Sequence, residues 1–266
     1  MIKNIYIDNL DDLMSIITEQ EYRPDIERHR SLYIYRGMSN IKFDMTTSLK
    51  RNCKGHQGEL EPAMLRYFAK YAAMDQPQVE NNVWRQMVLG QHYGLPTRLL
   101  DWSHSPLVAL HFAVSENNMD KMEAHDCVMW RMDMNELHEL LPVSYQQILN
   151  DENTTVFSVD MLCRIAPTLD QYDADMKDQS MVIVEPPSMD LRIINQYSFF
   201  SIVPNGMDSI EKFLDERTEN TAKIVISKDL RWRIRDLLDQ LNMSERTVYP
   251  GLDGLSKWLA RHYFVK

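Results

Sequence analysis

Residues 91–106, QHYGLPTRLLDWSHSP, combine the signals that end one helix, form a strand and begin another helix. Gly94 stands where a helix is expected to end, and Pro96 keeps the chain from returning to a helix at once. Residues 97–102 then predict a short strand. Residues 105–106, Ser-Pro, are typical of an N-cap and the first position of a new helix. The segment therefore predicts a helix–turn–strand–helix unit.

The helix at the end of this unit is apolar on nearly every side. Residues 106–114, PLVALHFAV, leave almost no polar face, which is typical of a helix at the centre of a fold. Arg98 and Asp101 stand among leucines just before it, and a buried charge is costly unless it is paired or used. This region is therefore the first place to look for a site, with a structural ion pair between Arg98 and Asp101 as the alternative.

The rest of the chain alternates predicted helices and strands. Residues 32–37, LYIYRG, predict a strand with apolar residues on both faces, which favours a central position in a sheet, and Arg36 lies at its end. A charged turn is expected at residues 21–30. Further helices are predicted at 11–17, 59–74, 83–93 and 230–241, and further strands at 126–132, 181–187, within 191–203 and at 221–227.

No internal repeat and no low-complexity linker divides the chain. We predict an α+β fold, a single domain over residues 1–266 with a central mixed or antiparallel sheet and an N-terminal helical portion. Residues 133–178 are mixed in composition and acidic in places, so a variable insertion is predicted there. Arg231, Arg233 and Arg235 predict a solvated charged face on a late helix.

The composition is that of a globular protein that does not hold nucleic acid by bulk charge. Hydrophobic residues make up 44% of the 266 residues and charged residues 26%, as in ordinary globular domains. The formal net charge of −10 argues against binding of duplex nucleic acid, but it leaves room for a local basic pocket that binds one phosphate-bearing small molecule. Three widely spaced cysteines without a CxxC pattern favour a reducing compartment.

The sequence contains no candidate membrane segment. No stretch reaches the roughly 18 consecutive apolar residues of a membrane span. The beginning of the chain, MIKNIYID, is too short and too soon acidic for a signal peptide. We therefore expect a cytoplasmic protein without a membrane partner.

Standard catalytic and metal-binding motifs are absent from the sequence, which has no GxGxxG after a strand, no GxxxxGK(S/T), no HExxH, no GxSxG and no clustered metal ligands. What remains is a set of polar residues at predicted strand ends and turns. Arginines suit such sites because their forks bind two oxygens of a pyrophosphate or carboxylate. At a predicted helix C-terminus, His92 also fits a plain contact with main-chain carbonyls. The candidates are Arg36, Arg51, Gln91, His92, Thr97, Arg98, Asp101, Glu185 and Gln196.

Several short motifs follow one another along the chain, among them YRG at 35–37, SLKR at 48–51 and the segment 91–113. Their order resembles the FRG domain, a bacterial family named for its (F/Y)RG motif. Two positions depart from the family's usual pattern, since Ser198 stands where a glycine is common and Gly251 where an acidic residue is frequent. The resemblance implies that the core of the chain, from about residue 30 to residue 260, is one FRG domain. It rests on YRG at 35–37, SLKR at 48–51, the segment 91–113, Glu185-Pro186, and blocks at 192–199 and 249–255.

A more distant similarity is to arginine-type ADP-ribosyltransferases. Their first motif is a strand ending in Tyr-Arg-Gly whose arginine holds an NAD phosphate, which implies this role for Arg36. A threonine-containing strand that leads into an apolar helix is similar to their middle motif. Their third motif offers a glutamate that stabilises the ribosyl cation, and the candidates here are Gln196 and Glu185. A developing positive charge needs a carboxylate, whereas a glutamine supplies only a dipole.

The resemblance leaves two interpretations open. In the first, the protein is an NAD-using or nucleotide-processing effector of bacterial toxicity or phage defence, with Arg36 and Arg98 on phosphates and Gln196 or Glu185 at the reacting carbon. In the second, it is a non-catalytic module that binds a nucleotide or a protein partner in the same cleft. A phosphodiester hydrolase is a third class, which no metal-ligand cluster supports. The first interpretation requires that Arg36, Arg98 and Gln196 face one cavity.

Overall fold

The computed structural model describes residues 1–74, 76, 79, 81–177 and 179–266. Among these residues, 3-10 helices cover Met119–Lys121 and Lys228–Leu230. The strands are β1 (Lys3–Ile7), β2 (Glu21–Arg23), β3 (Arg28–Arg30), β4 (Tyr33–Met38), β5 (Leu99–Ser103), β6 (Cys127–Asp133), β7 (Phe157–Ser158), β8 (Val182–Glu185), β9 (Ser198–Ile202) and β10 (Ala222–Ile226). The helices are α1 (Leu10–Ile17), α2 (Ser48–Cys53), α3 (Gln57–Ala72), α4 (Val83–His92), α5 (Pro106–Ala113), α6 (Met134–Glu139), α7 (Val143–Asp151), α8 (Val159–Ile165), α9 (Leu169–Met176), α10 (Leu191–Asn195), α11 (Ile210–Arg217), α12 (Arg231–Gln240), α13 (Glu245–Val248) and α14 (Leu252–His262).

Eight strands form one mixed sheet in the order β1-β10-β6-β4-β5-β9-β8-β7. β1 is parallel to β10 and β7 is parallel to β8, while the other neighbours are antiparallel. The predicted α+β fold with a central mixed sheet is confirmed, and β4 is central as its two apolar faces predicted. The charged turn predicted at residues 21–30 is wrong, because this segment forms a separate hairpin of β2 and β3.

The sheet has a narrow seam between β4 and β5. These two strands pair only at Tyr35 and Ser103, whereas β4 pairs with β6, and β5 with β9, along their whole lengths. The sheet therefore consists of two four-stranded halves that meet at this seam. Arg36 and Asp101 lie just beyond the single pair, where the two strands separate.

Helix α5 packs directly on β4 because Gly37 has no side chain. A Cβ at Gly37 would lie 1.9 Å from the main-chain oxygen of Ala109 and 2.4 Å from the main-chain nitrogen of Ala113, so only glycine fits. The Oγ of Ser105 accepts from the main-chain nitrogen of Val108 and caps the helix, as predicted. The helix is buried on most sides, and its N-terminal turn faces the seam.

The segment predicted as a variable insertion contributes to the core. It forms α6 to α9 and the edge strand β7, and its Tyr145, Phe157 and Tyr172 are fully buried in the largest hydrophobic cluster. The indole Nε1 of Trp84 on α4 donates to the main-chain oxygen of Ala166 at 2.7 Å, which fixes the segment to the preceding helices. Asp178, the last residue of the predicted insertion, lies outside the described residues.

Candidate functional site

Arg36 lies beside the open part of the seam. Its Nη1 donates to the main-chain oxygen of Asp101 at 2.7 Å and lies 3.7 Å from Oδ2 of the same residue. Only 20% of its side chain is exposed, and its Nε has no hydrogen-bond partner among the residues that the structure describes. Burial lowers the pKa of Arg36, the Asp101 carboxylate opposes this shift, and the positive charge of Arg51 adds to it. The guanidinium is therefore a mostly buried charge with incomplete compensation.

A cavity of about 220 Å³ lies at the seam, and we call it the seam cavity. Strands β4, β5 and β9 and helices α5 and α10 supply its walls. Three candidates from distant parts of the sequence, Arg36, Asp101 and Gln196, thus meet in one cavity. The polar lining consists of Arg36, Asp101, Ser103, Arg192, Gln196 and Ser198, and α5 adds Val108, Ala109 and Phe112.

The Asp101 carboxylate is held by a chain of side chains. Gln91 Nε2 donates to both Asp101 oxygens, at 3.2 and 3.1 Å, and Gln91 Oε1 accepts from Thr97 Oγ1 at 2.6 Å. Thr97 is buried, whereas 61% of the Asp101 side chain is exposed. Two predicted candidates, Gln91 and Thr97, therefore orient the carboxylate rather than line the cavity themselves.

Gln196 ties α10 to two other parts of the structure. Its Nε2 donates to the main-chain oxygen of Val248 at 3.0 Å, and its main-chain oxygen accepts from Ser103 Oγ at 2.6 Å. One N–H of the side-chain amide is engaged by Val248, so Gln196 can present the cavity only with its second N–H and its amide oxygen. It supplies no negative charge to a reacting centre.

Two residues at the cavity, Arg192 and Tyr249, were missing from the sequence-based site. The Arg192 guanidinium lies 5.1 Å from the centre of the Tyr249 ring, and the Lys257 ammonium lies 4.9 Å from the same ring. The ring also packs edge-on against Phe112, which lines the cavity. Burial raises the pKa of Tyr249, while the nearby Arg192 opposes the shift. The only sequence signal for these residues was their place in the later blocks of the family resemblance.

Arg98 lies apart from the cavity, so the expectation that it shares a site with Arg36 and Gln196 is wrong. It is 3% exposed, its Nε lies 2.9 Å from both Glu61 oxygens, and its Nη1 donates to Asp173 Oδ1 at 2.6 Å. Burial alone lowers the pKa of Arg98, but the bonds to these two carboxylates raise it overall. Side chains three positions apart in extended chain point to opposite faces, which explains why Arg98 and Asp101 do not pair.

The remaining candidates lie around the cavity without lining it. His92 Nε2 is 2.5 Å from Oδ2 of Asp190, the residue that caps α10, so it anchors that helix. Arg51 is exposed, and its Nη1 donates to the main-chain oxygen of Thr46 at 2.6 Å. Glu185, at the end of β8, lines a neighbouring cavity instead.

The described part of the chain lacks two features, a cluster of metal ligands and a membrane-spanning helix. No group of three or more His, Cys, Asp or Glu side chains there could hold a metal ion. Within the same residues, no helix has the length and apolar character that crossing a membrane requires.

The fold and site define a mixed α/β protein with an arginine-lined cavity at a seam of its sheet. Residues 31–122 match the model of the FRG domain family, which supports the predicted resemblance over this part of the chain. The matched residues include Arg36, Gly37, Asp101 and α5, while Arg192 and Gln196 lie beyond them. No curated protein and no solved structure gives a significant match. The similarity to ADP-ribosyltransferases stays a prediction.

Proposed function

We propose that the seam cavity binds NAD or a closely related nucleotide through its phosphates. The observation that carries this proposal is the state of Arg36, a mostly buried guanidinium with one hydrogen bond and a carboxylate no closer than 3.7 Å. A buried charge of this kind favours an anionic ligand, and the planar fork of arginine suits phosphate oxygens. Arg192 lines the same cavity and supplies a second positive charge.

Asp101 is the residue that we propose for charge stabilisation at the reacting carbon. Among the described residues that line the seam cavity, it is the one with a carboxylate. In cleavage of NAD, nicotinamide leaves with the electron pair of the glycosidic bond, and C1 of the ribose becomes positively charged until water or a target nucleophile adds. A carboxylate that is held in place before the reaction stabilises such a charge. This role falls to Asp101 rather than to Gln196 or Glu185.

Binding without cleavage is the second candidate function. Its support is that Asp101 already faces Arg36 at 3.7 Å and accepts two hydrogen bonds from Gln91, which partly neutralise the carboxylate. In this case the same residues bind a nucleotide as a signal. A protein partner then reads the occupied state.

Isothermal titration with NAD tests the proposal. We expect Arg36→Ala to weaken binding by about ten- to hundredfold, because charge-assisted hydrogen bonds contribute about 1.5–3 kcal/mol. The control is Arg164→Ala, which also removes one arginine but only from a surface pair with Glu152. No measurable binding of NAD, ADP-ribose or ADP by the wild type would overturn the proposal, as would equal affinities of the two variants.

Release of nicotinamide separates cleavage from binding alone. If Asp101 stabilises the ribosyl cation, Asp101→Asn keeps NAD affinity within about threefold but loses most of the release rate, because the isosteric amide lacks the charge. Binding by the wild type with no release above the rate in buffer would leave the binding function and exclude the cleavage.

A further inference from the structure

A second cavity, of about 520 Å³, adjoins the seam cavity. Ser198 lines both of them. We call the second one the ring cavity. Its apolar and aromatic lining includes Leu32, His104, Pro186, Ile194, Tyr197 and Phe199, and Arg23 and Arg30 also line it.

Tyr197 at the rim of the ring cavity adopts an unusual backbone conformation. Its φ is +46°, in the left-handed region that glycine normally occupies after the end of a helix. A bulky residue is uncommon in this region because its Cβ is crowded there, and such strain clusters at functional sites. Hydrogen bonds from Tyr197 N to the main-chain oxygen of Ile194 and from His104 N to the main-chain oxygen of Tyr197, both 3.1 Å, hold this conformation. The result is a tyrosine ring that is 61% exposed at the mouth of the cavity.

The aromatic lining suits a planar ring. His104 and Phe199 meet edge-on with ring centroids 6.2 Å apart. Burial lowers the pKa of His104, so its imidazole is neutral at pH 7 and presents an uncharged face. Aromatic side chains of this kind stack with nucleobases. The Glu185 carboxylate, exposed at the end of β8, adds an acceptor for an N–H group on the ring edge.

The sizes of the two cavities also fit one extended ligand. Ligand sites typically measure about 300–1,000 Å³. The seam cavity, at about 220 Å³, is below this range, whereas the ring cavity, at about 520 Å³, is within it. A ligand with its phosphates at Arg36 therefore needs the neighbouring space for the rest of the molecule.

We infer that the ring cavity binds the nucleobase of the nucleotide, stacked on Tyr197 and Phe199, with an exocyclic amino group that donates a hydrogen bond to the Glu185 carboxylate. This inference rests on the proposed function and adds the substrate class, a nucleotide whose base carries an amino group. Adenine fits this description. Hypoxanthine, which carries an oxygen at the same position, does not.

The inference is tested with three probes, ADP, IDP and inorganic pyrophosphate, by isothermal titration against wild type, Tyr197→Gly and Glu185→Gln. We expect wild type to bind ADP more tightly than IDP. Tyr197→Gly should weaken ADP binding about tenfold, because base stacking on an aromatic side chain is worth about 1–3 kcal/mol, and leave pyrophosphate binding unchanged. Glu185→Gln should reduce the preference for ADP over IDP. The control is Tyr67→Ala, which removes an equally exposed ring from α3.

Folding does not obscure this experiment, because glycine relieves the strain at position 197 and the variant should be at least as stable as the wild type to heat. If Tyr197→Gly binds ADP as tightly as the wild type does, or loses pyrophosphate as strongly as ADP, the ring cavity is not the base site while the phosphate site stands. If the wild type binds neither ADP nor pyrophosphate, the proposed function itself fails.

Discussion

Two arginine–carboxylate groups lie on opposite faces of the segment around β5 and are built on opposite plans. Arg98, 3% exposed, is enclosed by Glu61 and Asp173 at hydrogen-bond distance. Arg36 has a main-chain oxygen at 2.7 Å and the exposed Asp101 carboxylate at 3.7 Å. The first group is closed and fixes α3 and α9 to the sheet. The second is open and has capacity for a ligand.

The difference between the two groups indicates which buried charges in this fold mark a binding site. A buried ion pair is retained when each charge is matched, and removal of one partner leaves the other uncompensated. An arginine that remains incompletely matched beside a cavity is a better marker of a site than an arginine in an apolar sequence. Three predictions probe this contrast.

The largest effect is expected at Glu61. Glu61→Ala leaves the Arg98 guanidinium buried with one partner fewer, and we expect the free energy of unfolding to fall by about 3–5 kcal/mol. Asp101→Ala, the matched change in the open group, should cost less than about 1 kcal/mol because this carboxylate is exposed. Urea denaturation of both variants measures the difference. Similar losses in the two variants would break the distinction between a closed and an open group.

A third group, around Arg235, extends the contrast to pH. His111 on α5 is 1% exposed and contacts Arg235 through Nδ1 at 3.2 Å. Burial and the charge of Arg235 lower the pKa of His111 from 6.5 to about 3. The unfolded chain therefore takes up a proton near pH 6.5 that the folded protein does not, so stability falls as the pH falls from about 6.5 toward 3.

We expect this group to lower the free energy of unfolding by about 2 kcal/mol between pH 7 and pH 5, since each pH unit below the unfolded pKa contributes about 1.4 kcal/mol. His111→Gln should have a flatter profile over the same interval. The measurement is urea denaturation at closely spaced pH values. A profile for His111→Gln as steep as that of the wild type would show that protonation of His111 does not cause the loss of stability.

The smallest effect on stability is expected at Gln91, which orients the carboxylate of the open group. Gln91→Leu should cost less than about 1.5 kcal/mol, the usual net value of a hydrogen bond. We expect NAD affinity to change much less than in Arg36→Ala, and nicotinamide release to fall relative to binding. Gln171→Leu is the control, since Gln171 donates to the half-buried Asp175 at 2.7 Å and neither residue lines the cavity. A loss of affinity as large as that of Arg36→Ala would place Gln91 in contact with the ligand instead.

The sequence predicted elements well where local signals are strong. Gly94, Pro96 and the capping Ser105 delimit β5 and α5, and the apolar runs predict the central strands. The hairpin of β2 and β3 was missed because its strands are charged and mostly exposed, with no alternation to mark an inner face. Strand β1 was missed as well, since a short stretch at the beginning of the chain carries little pattern.

The arginines of α12 show why side-chain partners were harder to predict. Arg231 and Arg235 were expected on a solvated face, but they are 1% and 2% exposed. Arg231 donates to two main-chain oxygens at 3.1 Å, and Arg235 pairs with Glu245. Their partners come from other loops and helices, 10, 106 and 116 positions away, and no spacing rule reveals them.

For the same reason, only part of the candidate site could be predicted from the sequence. Arg36 and Asp101 lie within β4 and β5 beside the seam, not at strand ends as predicted for Arg36, and Gln196 follows the end of α10. Sequence reasoning nevertheless placed these three residues in one site. The partner of Arg98 is Glu61, 37 positions away on a helix, so a nearer residue was considered in its place. Arg192 and Tyr249 could be placed at the cavity only once the packing of α10 and α13 was known.

The single residue pair between Tyr35 and Ser103 has a mechanical consequence. Because the two halves of the sheet share only one residue pair, the hydrogen bond from the Arg36 side chain to the Asp101 main chain adds a further connection between them. A phosphate bound to this arginine would contact the side chain that connects the two halves of the sheet. We therefore expect ligand binding in the seam cavity to change how the two halves are held together. Under the proposed function, the ligand therefore contacts the same residue that joins the two halves of the sheet at their shortest ladder.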